Sequence, residues 1–419
     1  MLFESLMLPS GVQLQNRLVK AAMEENMAAS GQNPSDGLIQ LYQRWAQGGT
    51  GLLISGNVMV SRTALTGPGG VVLDVYSNLE LFKRWAQSVQ TGTGQQQGSK
   101  LILQLNHPGR QLPTNLGQPA LAPSAVALDL GKFSNMFVKP RAMTLDDIEQ
   151  VKTQFLTSAR LAQQAGFSGV QIHAAHGYLL SQFLSPLVNQ RTDAYGGSLE
   201  NRARLLLEIA ARLRSELPQG FIVSVKLNSA DFQRGGFSAE DAKQVLQWLN
   251  PLGLDFVELS GGSYEAPAMQ GDSRDGRTLA REAYFLEFAK ELQQAAQMPL
   301  MVTGGIRRRE VAEQVLRSGV ALVGIATALA LSTDLPKRWQ AGEQLAPELP
   351  PLEFKQKPLK ALAAMAYTRL MLRRLGKPLP FWSPLRWPLW MLLADQLRLK
   401  TLAKRYRREM ADQGPSCCH

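Results

Sequence analysis

The chain has 419 residues, 45% of them hydrophobic, and a formal net charge of +11 at pH 7. A chain of this length and hydrophobicity buries a large core, either as one big barrel or as two ordinary domains. Its two cysteines, Cys417 and Cys418, are adjacent at the C-terminus, which excludes a disulfide framework and a cysteine-ligated cluster from the body of the chain.

The positive charge lies almost entirely in residues 351–419, where fourteen Lys or Arg face four Asp or Glu. The preceding residues are close to neutral, so the sequence predicts no nucleic-acid binding by the main body. No basic start followed by an apolar segment opens the chain, and no apolar stretch is long enough to span a bilayer. We therefore expect a cytoplasmic protein.

Short apolar runs alternate with amphipathic helical stretches between residues 18 and 325. The predicted strands are 18–22, 51–56, 100–105, 169–173, 221–227, 255–260, 300–303 and 321–325, and the predicted helices include 38–48, 145–166, 198–217, 239–249, 281–296 and 309–318. Most of these strands are continuously apolar, as is typical of strands covered on both faces. Eight strands separated by helices predict a (β/α)8 TIM barrel over residues 1–344. A doubly wound open sheet is the alternative that periodicity does not separate.

The segments outside this pattern are two insertions and the C-terminal extension. Residues 87–99 are rich in Gln and Gly and predict a surface loop, and residues 114–141 form a long insertion without a clear period. Residues 345–419 predict a helical, basic extension that includes Trp387 and Trp390. Its helices either pack on the barrel or on a partner subunit, with solvated basic faces, or form a basic amphipathic surface for anionic lipid.

Three polar side chains leave the end of the predicted fourth strand together. His173, His176 and Tyr178 lie within six residues of one another. An isolated histidine is usually structural, but imidazole N–H groups hold a carbonyl oxygen and a phenol transfers a proton. In a (β/α)8 barrel such chemistry collects at the C-terminal ends of the strands. The sequence therefore predicts that these three residues are catalytic.

Other predicted strands also end in polar or glycine-rich sequence. The third ends near Gln104, the fifth carries Lys226, and the seventh is followed by Gly304 and Gly305. Paired glycines let backbone N–H groups approach a phosphate, and the loops after strands seven and eight are the usual phosphate site of this fold. These positions predict a phosphorylated cofactor.

Taken together, these motifs resemble the Old Yellow Enzyme family. They are Asn16–Met23, Gln104 with His107–Arg110, His173–Tyr178, Tyr195–Arg202 and Thr303–Gly305. The resemblance implies an FMN-dependent enzyme that uses NADH or NADPH to reduce activated alkenes on a TIM barrel.

The resemblance also implies roles for individual residues. His173 and His176 would bind the carbonyl oxygen of an α,β-unsaturated substrate. Tyr178 would donate a proton to Cα while the reduced flavin delivers hydride to Cβ. The implied cofactor-binding residues are Ala21, Ala22 and Met23 against the flavin ring, Gln104 as its hydrogen-bond partner, Lys226 near N1 and C2=O, and Gly304, Gly305, Ala326 and Thr327 at the phosphate.

Three positions depart from the commoner family pattern. Lys226 stands where many members have Arg, and a lysine lacks the bidentate fork of a guanidinium. Ala326-Thr327 replaces Gly-Arg, so Thr327 or one of Arg307, Arg308 and Arg309 would have to serve the phosphate. Glu24 stands where relatives often have Thr or Cys near flavin C4=O, and the sequence predicts no role for it.

We therefore predict an FMN-dependent ene-reductase acting on a small activated alkene. A 2,4-dienoyl-CoA reductase shares the barrel but needs a cysteine-ligated cluster, which the chain lacks. A Schiff-base lyase using Lys226 is a second alternative. A non-catalytic flavoprotein tethered to a membrane by the basic extension is the third. The extension is also compatible with contacts between subunits in a homo-oligomer.

Overall fold

A computed structural model describes residues 1–91, 98–266, 286–350, 357–377 and 388–412. Eight parallel strands follow one another around a closed barrel: Leu18–Lys20, Leu52–Met59, Lys100–Asn106, Gly169–Ala174, Ile222–Asn228, Phe256–Ser260, Leu300–Thr303 and Leu322–Ile325. Each strand pairs with the next in the chain. The eighth pairs with the first, with Gly324 opposite Val19, and this pairing closes the barrel. The predicted (β/α)8 fold is confirmed, and the open-sheet alternative is wrong.

Alternate residues of the strands belong to two separate buried clusters, because successive side chains of a strand point to opposite faces. Val19, Leu52 and Ile102 belong to the smaller cluster, inside the barrel. Their neighbours Leu18 and Leu53 join the larger cluster, which includes the buried faces of the surrounding helices. Burial on both faces explains why these strands are continuously apolar in the sequence.

The helices alternate with the strands as the sequence predicts. The helices after the first seven strands are Asp36–Gln47, Leu79–Thr91, Leu145–Gln164, Leu199–Glu216, Ala239–Leu249, Leu286–Gln293 and Arg309–Arg317, with a short extra helix at Leu179–Leu184, and Thr327–Leu331 and Leu335–Gln340 follow the eighth strand. Thr144 and Asp147 form a capping box at the start of one helix, and Ser198 caps another. Both hydroxyls accept a backbone N–H that the first helical turn leaves without a partner.

Shorter elements lie outside the barrel. The strands Leu6–Met7 and Gln13–Leu14 form an antiparallel pair, Val71–Val72 pairs in parallel with the end of the second barrel strand, and Leu121–Ala122 pairs with Arg141–Ala142. The 3-10 helices are Ser30–Gln32, Thr114–Leu116, Gly131–Met136 and Asn250–Leu252. The insertion at residues 114–141 is therefore built from single turns and two-residue strands, which explains its lack of period.

One predicted segment is wrong in part. Residues 87–91 were expected in a surface loop, but they form the last turn of the helix Leu79–Thr91, while residues 92–97 lie outside the described part of the chain. The apolar spacing of Phe82, Trp85 and Val89, all buried, carries that helix past the start of the Gln-rich stretch. The beginning of the predicted helix 281–296 also lies outside the described residues, as do Trp387, Cys417 and Cys418. The domain boundary between residues 344 and 345 stays a prediction.

The C-terminal extension forms two helices, Lys357–Leu375 and Pro388–Asp412, which we call the first and second tail helices. They pack on the barrel, as one of the two interpretations predicts. Within the described residues, no helix is long and apolar enough to cross a membrane.

The second tail helix lies on the loops at the C-terminal rim of the barrel. Arg398 donates to the carbonyl of Asn26 over 2.5 Å, and the Tyr406 hydroxyl donates to the carbonyl of Arg62 over 2.7 Å. Asn26 follows the first strand and Arg62 follows the second, so both belong to the face where catalytic residues are expected. The extension therefore forms part of the wall around that face.

A buried carboxylate joins the two tail helices, and its removal is predicted to release them. Asp395 is 1% exposed and pairs with both Arg369 and Arg373. Breaking a buried ion pair from one side costs about 3–5 kcal/mol. Asp395→Ala should therefore raise the rate of tryptic cleavage within the tail by roughly two to four orders of magnitude, because cleavage follows the population of the open form.

Asp412→Ala is the matched control, because it removes the same charge from an exposed position on the same helix. Equal cleavage rates in the two variants, measured by mass spectrometry of the fragments, would contradict this role of Asp395.

Candidate active site

His173, His176 and Tyr178 come together at the C-terminal end of the fourth strand. His173 lies in the strand, and Tyr178 immediately precedes the helix Leu179–Leu184. The ring of His173 is 5.0 Å from that of His176 and 4.9 Å from that of Tyr178, centroid to centroid. His173 and Tyr178 are buried, and His176 is half-buried. The chain thus places two imidazoles and a phenol in one compact group.

A strained turn carries His176 into this group. His176 has φ 61° and Gly177 has φ 73°, and the left-handed region is uncommon for a residue with a Cβ. The backbone of His176 is held from both sides: its N–H donates to Asn228 Oδ1 and its carbonyl accepts from Gln111 Nε2, each over 3.1 Å. These bonds fix a conformation that His176 would otherwise avoid. Sequence analysis predicts this role for neither Gln111 nor Asn228.

Both imidazoles are neutral at neutral pH. Burial, followed by the charges of His176 and Lys226, lowers the pKa of His173 well below 6.5. Burial and Lys226 also lower the pKa of His176 well below 6.5. His173 Nδ1 accepts from the backbone N–H of Ala175, so its proton is on Nε2. The Nε2 atom of His176 lies 2.6 Å from the Ser260 hydroxyl.

The Tyr178 hydroxyl remains protonated and contacts two polar neighbours. It lies 3.1 Å from the Tyr264 hydroxyl and accepts a long hydrogen bond, 3.5 Å, from Asn57 Nδ2. Burial is the main reason why the pKa of Tyr178 lies well above 10, and Tyr264 and Glu24 raise it further. Sequence reasoning missed Tyr264 and Asn57. The only available signal was their position at or near the ends of predicted strands.

Glu24, for which the sequence predicts no role, is hydrogen-bonded to two neighbouring side chains. Its carboxylate accepts a hydrogen bond of 2.8 Å from Asn57 Nδ2 and another from the Thr66 hydroxyl. The Asn57 amide therefore contacts both Glu24 and Tyr178. This arrangement holds a negative charge near the phenol and keeps the phenolic proton in place.

The interior of the barrel below this group contains a connected polar chain. Gln104 Nε2 donates to Gln171 Oε1 over 2.7 Å, and Gln171 Nε2 donates to Glu258 Oε2 over 3.0 Å. Glu258 Oε1 accepts from Lys226 Nζ over 2.9 Å and from the Thr303 hydroxyl over 2.8 Å. The charge of Lys226 is thus balanced by a fully buried carboxylate. The sequence analysis predicted Gln104 and Lys226 but not Gln171 or Glu258.

The remaining predicted residues lie at the ends of the first, seventh and eighth strands. The backbone N–H of Ala21 donates to Ile325, and Ala22 and Met23 follow half-buried. Gly304 and Gly305 have φ 140° and 66°, conformations that favour glycine. Ala326 and Thr327, half-buried and exposed, begin the short helix Thr327–Leu331. Because all strands are parallel, these residues share one rim with Gln104, Lys226 and the catalytic candidates.

The sequence matches the NADH:flavin oxidoreductase / NADH oxidase family over residues 1–346. The chain belongs to this family.

Individual relatives agree with this assignment. The chain is 38% identical to the NADH-dependent flavin oxidoreductase iliE of Hypocrea jecorina over 349 residues, which cover 78% of this chain and 86% of the relative. It is 39% identical to the iliE protein of Neonectria sp., where the match covers 79% of this chain but only 46% of the relative. Among solved structures, an Old Yellow Enzyme homologue from Zymomonas mobilis superposes with a TM-score of 0.70 at 26% identity, covering 86% of this chain and 98% of that one.

Members of this family use FMN and NADH, and the residues at the rim fit an FMN. The two glycines after the seventh strand present backbone N–H groups in the left-handed conformations that close approach to a phosphate requires. Lys226 and Gln104 offer a cation and an amide at the end of the polar chain, where a flavin ring requires polar partners. Which individual residues hold the cofactor remains the proposal made from the sequence.

Arg307 and Arg309, two of the residues considered as replacements for the missing phosphate arginine, form ion pairs with carboxylates. Arg307 pairs with Glu348, and Arg309 pairs with Glu313 and donates to the carbonyl of Trp339. Thr327 is exposed at the rim, so a longer side chain fits there.

Thr327→Arg is therefore predicted to tighten FMN binding. A charged hydrogen bond to a phosphate contributes about 1.5–3 kcal/mol, so the dissociation constant should fall about 10- to 100-fold. Fluorescence titration of the apoprotein with FMN measures this change.

Ala341→Arg, which adds the same charge at an exposed position away from the strand ends, should leave the dissociation constant unchanged. Weaker binding in Thr327→Arg would show that the phosphate is held at another position.

Proposed function

We propose that this protein reduces the activated C=C bond of an α,β-unsaturated carbonyl compound. The observation that carries the proposal is the compact group of His173, His176 and Tyr178. Two neutral imidazoles and one protonated phenol lie together at a single strand end. This is the donor set that such a reduction requires, because an oxygen must be held and a carbon must be protonated.

The imidazoles act on the carbonyl oxygen of the substrate. His173 carries its proton on Nε2, so the neutral ring can donate a hydrogen bond from this atom. Negative charge develops on the oxygen as the β-carbon gains hydride, and donors aimed at such an oxygen contribute about 3 kcal/mol each to the transition state. The Ser260 hydroxyl orients His176 from the side. Bound FMN supplies the hydride, which comes from NADH.

Tyr178 protonates the α-carbon. Its pKa, raised mainly by burial, keeps the proton on the oxygen until an enolate accepts it. The Tyr264 hydroxyl, 3.1 Å away, is placed to return a proton to the Tyr178 oxygen afterwards. Asn57 holds the hydroxyl from the other side and sets its direction.

The ion pair of Lys226 argues against the Schiff-base alternative. A lysine must lose its proton to attack a carbonyl. Lys226 is buried against the carboxylate of Glu258, which stabilises the charged ammonium.

Turnover of an enone with NADH separates an enzyme from a non-catalytic flavoprotein.

Replacement of Tyr178 by Phe separates the two half-reactions. Reduction of the flavin by NADH needs no proton from this side chain and should persist. Reduction of cyclohexenone should slow by about 10²–10⁴-fold, the usual contribution of a general acid. Stopped-flow measurement of each half-reaction gives both rates.

The matched control is Tyr264→Phe, which removes one oxygen from the neighbouring phenol and leaves Tyr178 intact. It should slow cyclohexenone reduction less than tenfold, on the order of one lost hydrogen bond. If Tyr178→Phe reduced cyclohexenone at the parent rate, water or another residue would be the proton donor instead.

The perturbed pKa values also predict a flat pH profile for the oxidative half-reaction. The lowered pKa of His173 keeps this ring neutral as the pH falls to 6.5, the ordinary value for imidazole. The raised pKa of Tyr178 keeps the phenol protonated as the pH rises to 10.0, the ordinary value for a phenol. The rate of cyclohexenone reduction by the reduced enzyme should therefore stay level between these two limits. A decline centred on either limit would contradict the assigned protonation state.

A further inference from the structure

The second tail helix exposes one continuous stripe on its outer face. Trp390, Leu393 and Leu397 are 62%, 54% and 64% exposed, far more than apolar side chains of a packed helix. The same stripe continues at intervals of three and four residues through exposed basic side chains: Lys400, Lys404 and Arg408. Residues at this spacing share one face of an α-helix. The stripe is thus apolar in its first half and basic in its second.

The first tail helix adds apolar surface beside it. Leu359, Leu362 and Met365 are 37%, 40% and 44% exposed. Ala363 and Met391 belong to one small buried cluster, so the N-terminal halves of the two helices lie side by side. Exposed apolar side chains are therefore present on both of these neighbouring helix halves.

Asp395 and Glu409 face the packed side of the helix rather than the stripe. Asp395 is buried against Arg369 and Arg373. Glu409 accepts from Gln32 and from the backbone N–H of Gly31. Between residues 390 and 411 all exposed charges of the helix are therefore positive, and Asp412, exposed at the last residue of the helix, is its one exposed acidic side chain.

We propose that this stripe binds the surface of an anionic lipid bilayer. An indole and leucines partition into the boundary between headgroups and acyl chains, while lysine and arginine interact with anionic headgroups. Binding to the bilayer does not rest on the proposed function, because it concerns a surface outside the active site; only the class of substrate inferred below rests on it.

A second copy of the chain fits the stripe less well. In a two-fold contact the same surface meets itself. Lys400, Lys404 and Arg408 would then lie against identical basic residues or against the apolar half of the partner stripe, with only Asp412 at the helix end to offset three cations on each copy. A bilayer supplies both an apolar layer and negative charge.

Attachment through the stripe would bring the bilayer close to the active site. The inner face of the same helix holds the loops at the barrel rim, through Arg398 to Asn26 and Tyr406 to Arg62. A bilayer on the outer stripe would therefore lie next to the rim at which substrate enters. The class of substrate favoured by this arrangement is apolar and dissolved in the lipid.

Vesicle co-sedimentation of the full chain with bound FMN tests the proposal. The protein should sediment with vesicles of phosphatidylglycerol and phosphatidylcholine but not with vesicles of phosphatidylcholine alone. Added salt should release it, because the Debye length shortens. Absence of binding to the anionic vesicles would overturn the proposal.

Three variants locate the binding surface. The triple change Lys400→Ala, Lys404→Ala, Arg408→Ala should weaken vesicle binding about a hundredfold, given the usual contribution of a basic residue near an anionic surface. The triple change Trp390→Ser, Leu393→Ser, Leu397→Ser should also weaken it. The matched control removes three basic residues from helices of the barrel wall, Arg160→Ala, Lys243→Ala, Arg317→Ala, and should bind as the parent does.

Flavin absorbance equal to that of the parent confirms that each variant is folded. If the control lost vesicle binding equally, the change in net charge alone would explain the weaker binding, and the proposed surface would be overturned. Self-association that the serine variant abolishes, with vesicle binding unchanged, would identify a second copy as the occupant instead.

Discussion

The buried carboxylate of Glu258 is the interaction on which the rest of the site depends. It lies on the sixth strand and is bound by Lys226 from the fifth, Thr303 from the seventh and Gln171 from the fourth, which in turn holds Gln104 from the third. A charge inside a barrel is tolerated only when it is paired and hydrogen-bonded, and removing one partner of such a pair costs about 3–5 kcal/mol. The relative heights of five adjacent strand ends are therefore fixed by one network, and the catalytic candidates project from those ends.

The same network determines the electrostatics above it. Because Glu258 balances Lys226, the interior of the barrel presents a polar but nearly neutral surface. Burial lowers the pKa of His173 and of His176, and Lys226 lowers both further. The site thus keeps its histidines as neutral donors and its phenol protonated. A carbonyl oxygen can be bound there without a charged side chain that would have to be desolvated first.

The sequence predicts the features that depend on local pattern. The eight strands are visible as apolar runs because both of their faces are buried, and His173, His176 and Tyr178 are visible because they are close together in the chain. Glu258 is a single acidic residue inside an apolar run, and its partners are 32 to 87 residues away. Asn57 meets Tyr178 across 121 residues. Neither contact leaves a periodic or spacing signal, so only the closed barrel reveals them. The Gln-rich composition of residues 87–99 also hid the last turn of a helix, because only one of its buried apolar residues, Val89, lies within that stretch, while Phe82 and Trp85 precede it.

The tail is coupled to the catalytic group through backbone atoms. Arg398 binds the carbonyl of Asn26, two residues after Glu24, and Tyr406 binds the carbonyl of Arg62, in the loop that carries Thr66. Glu24 and Thr66 are themselves hydrogen-bonded, and Glu24 shares Asn57 with Tyr178. Displacement of the tail would move both loops at once, because Ala28 and Gly69 also join them through a backbone hydrogen bond. The position of the charge nearest the phenol therefore depends on how the second tail helix lies on the rim, which links its inner face directly to the chemistry proposed for Tyr178.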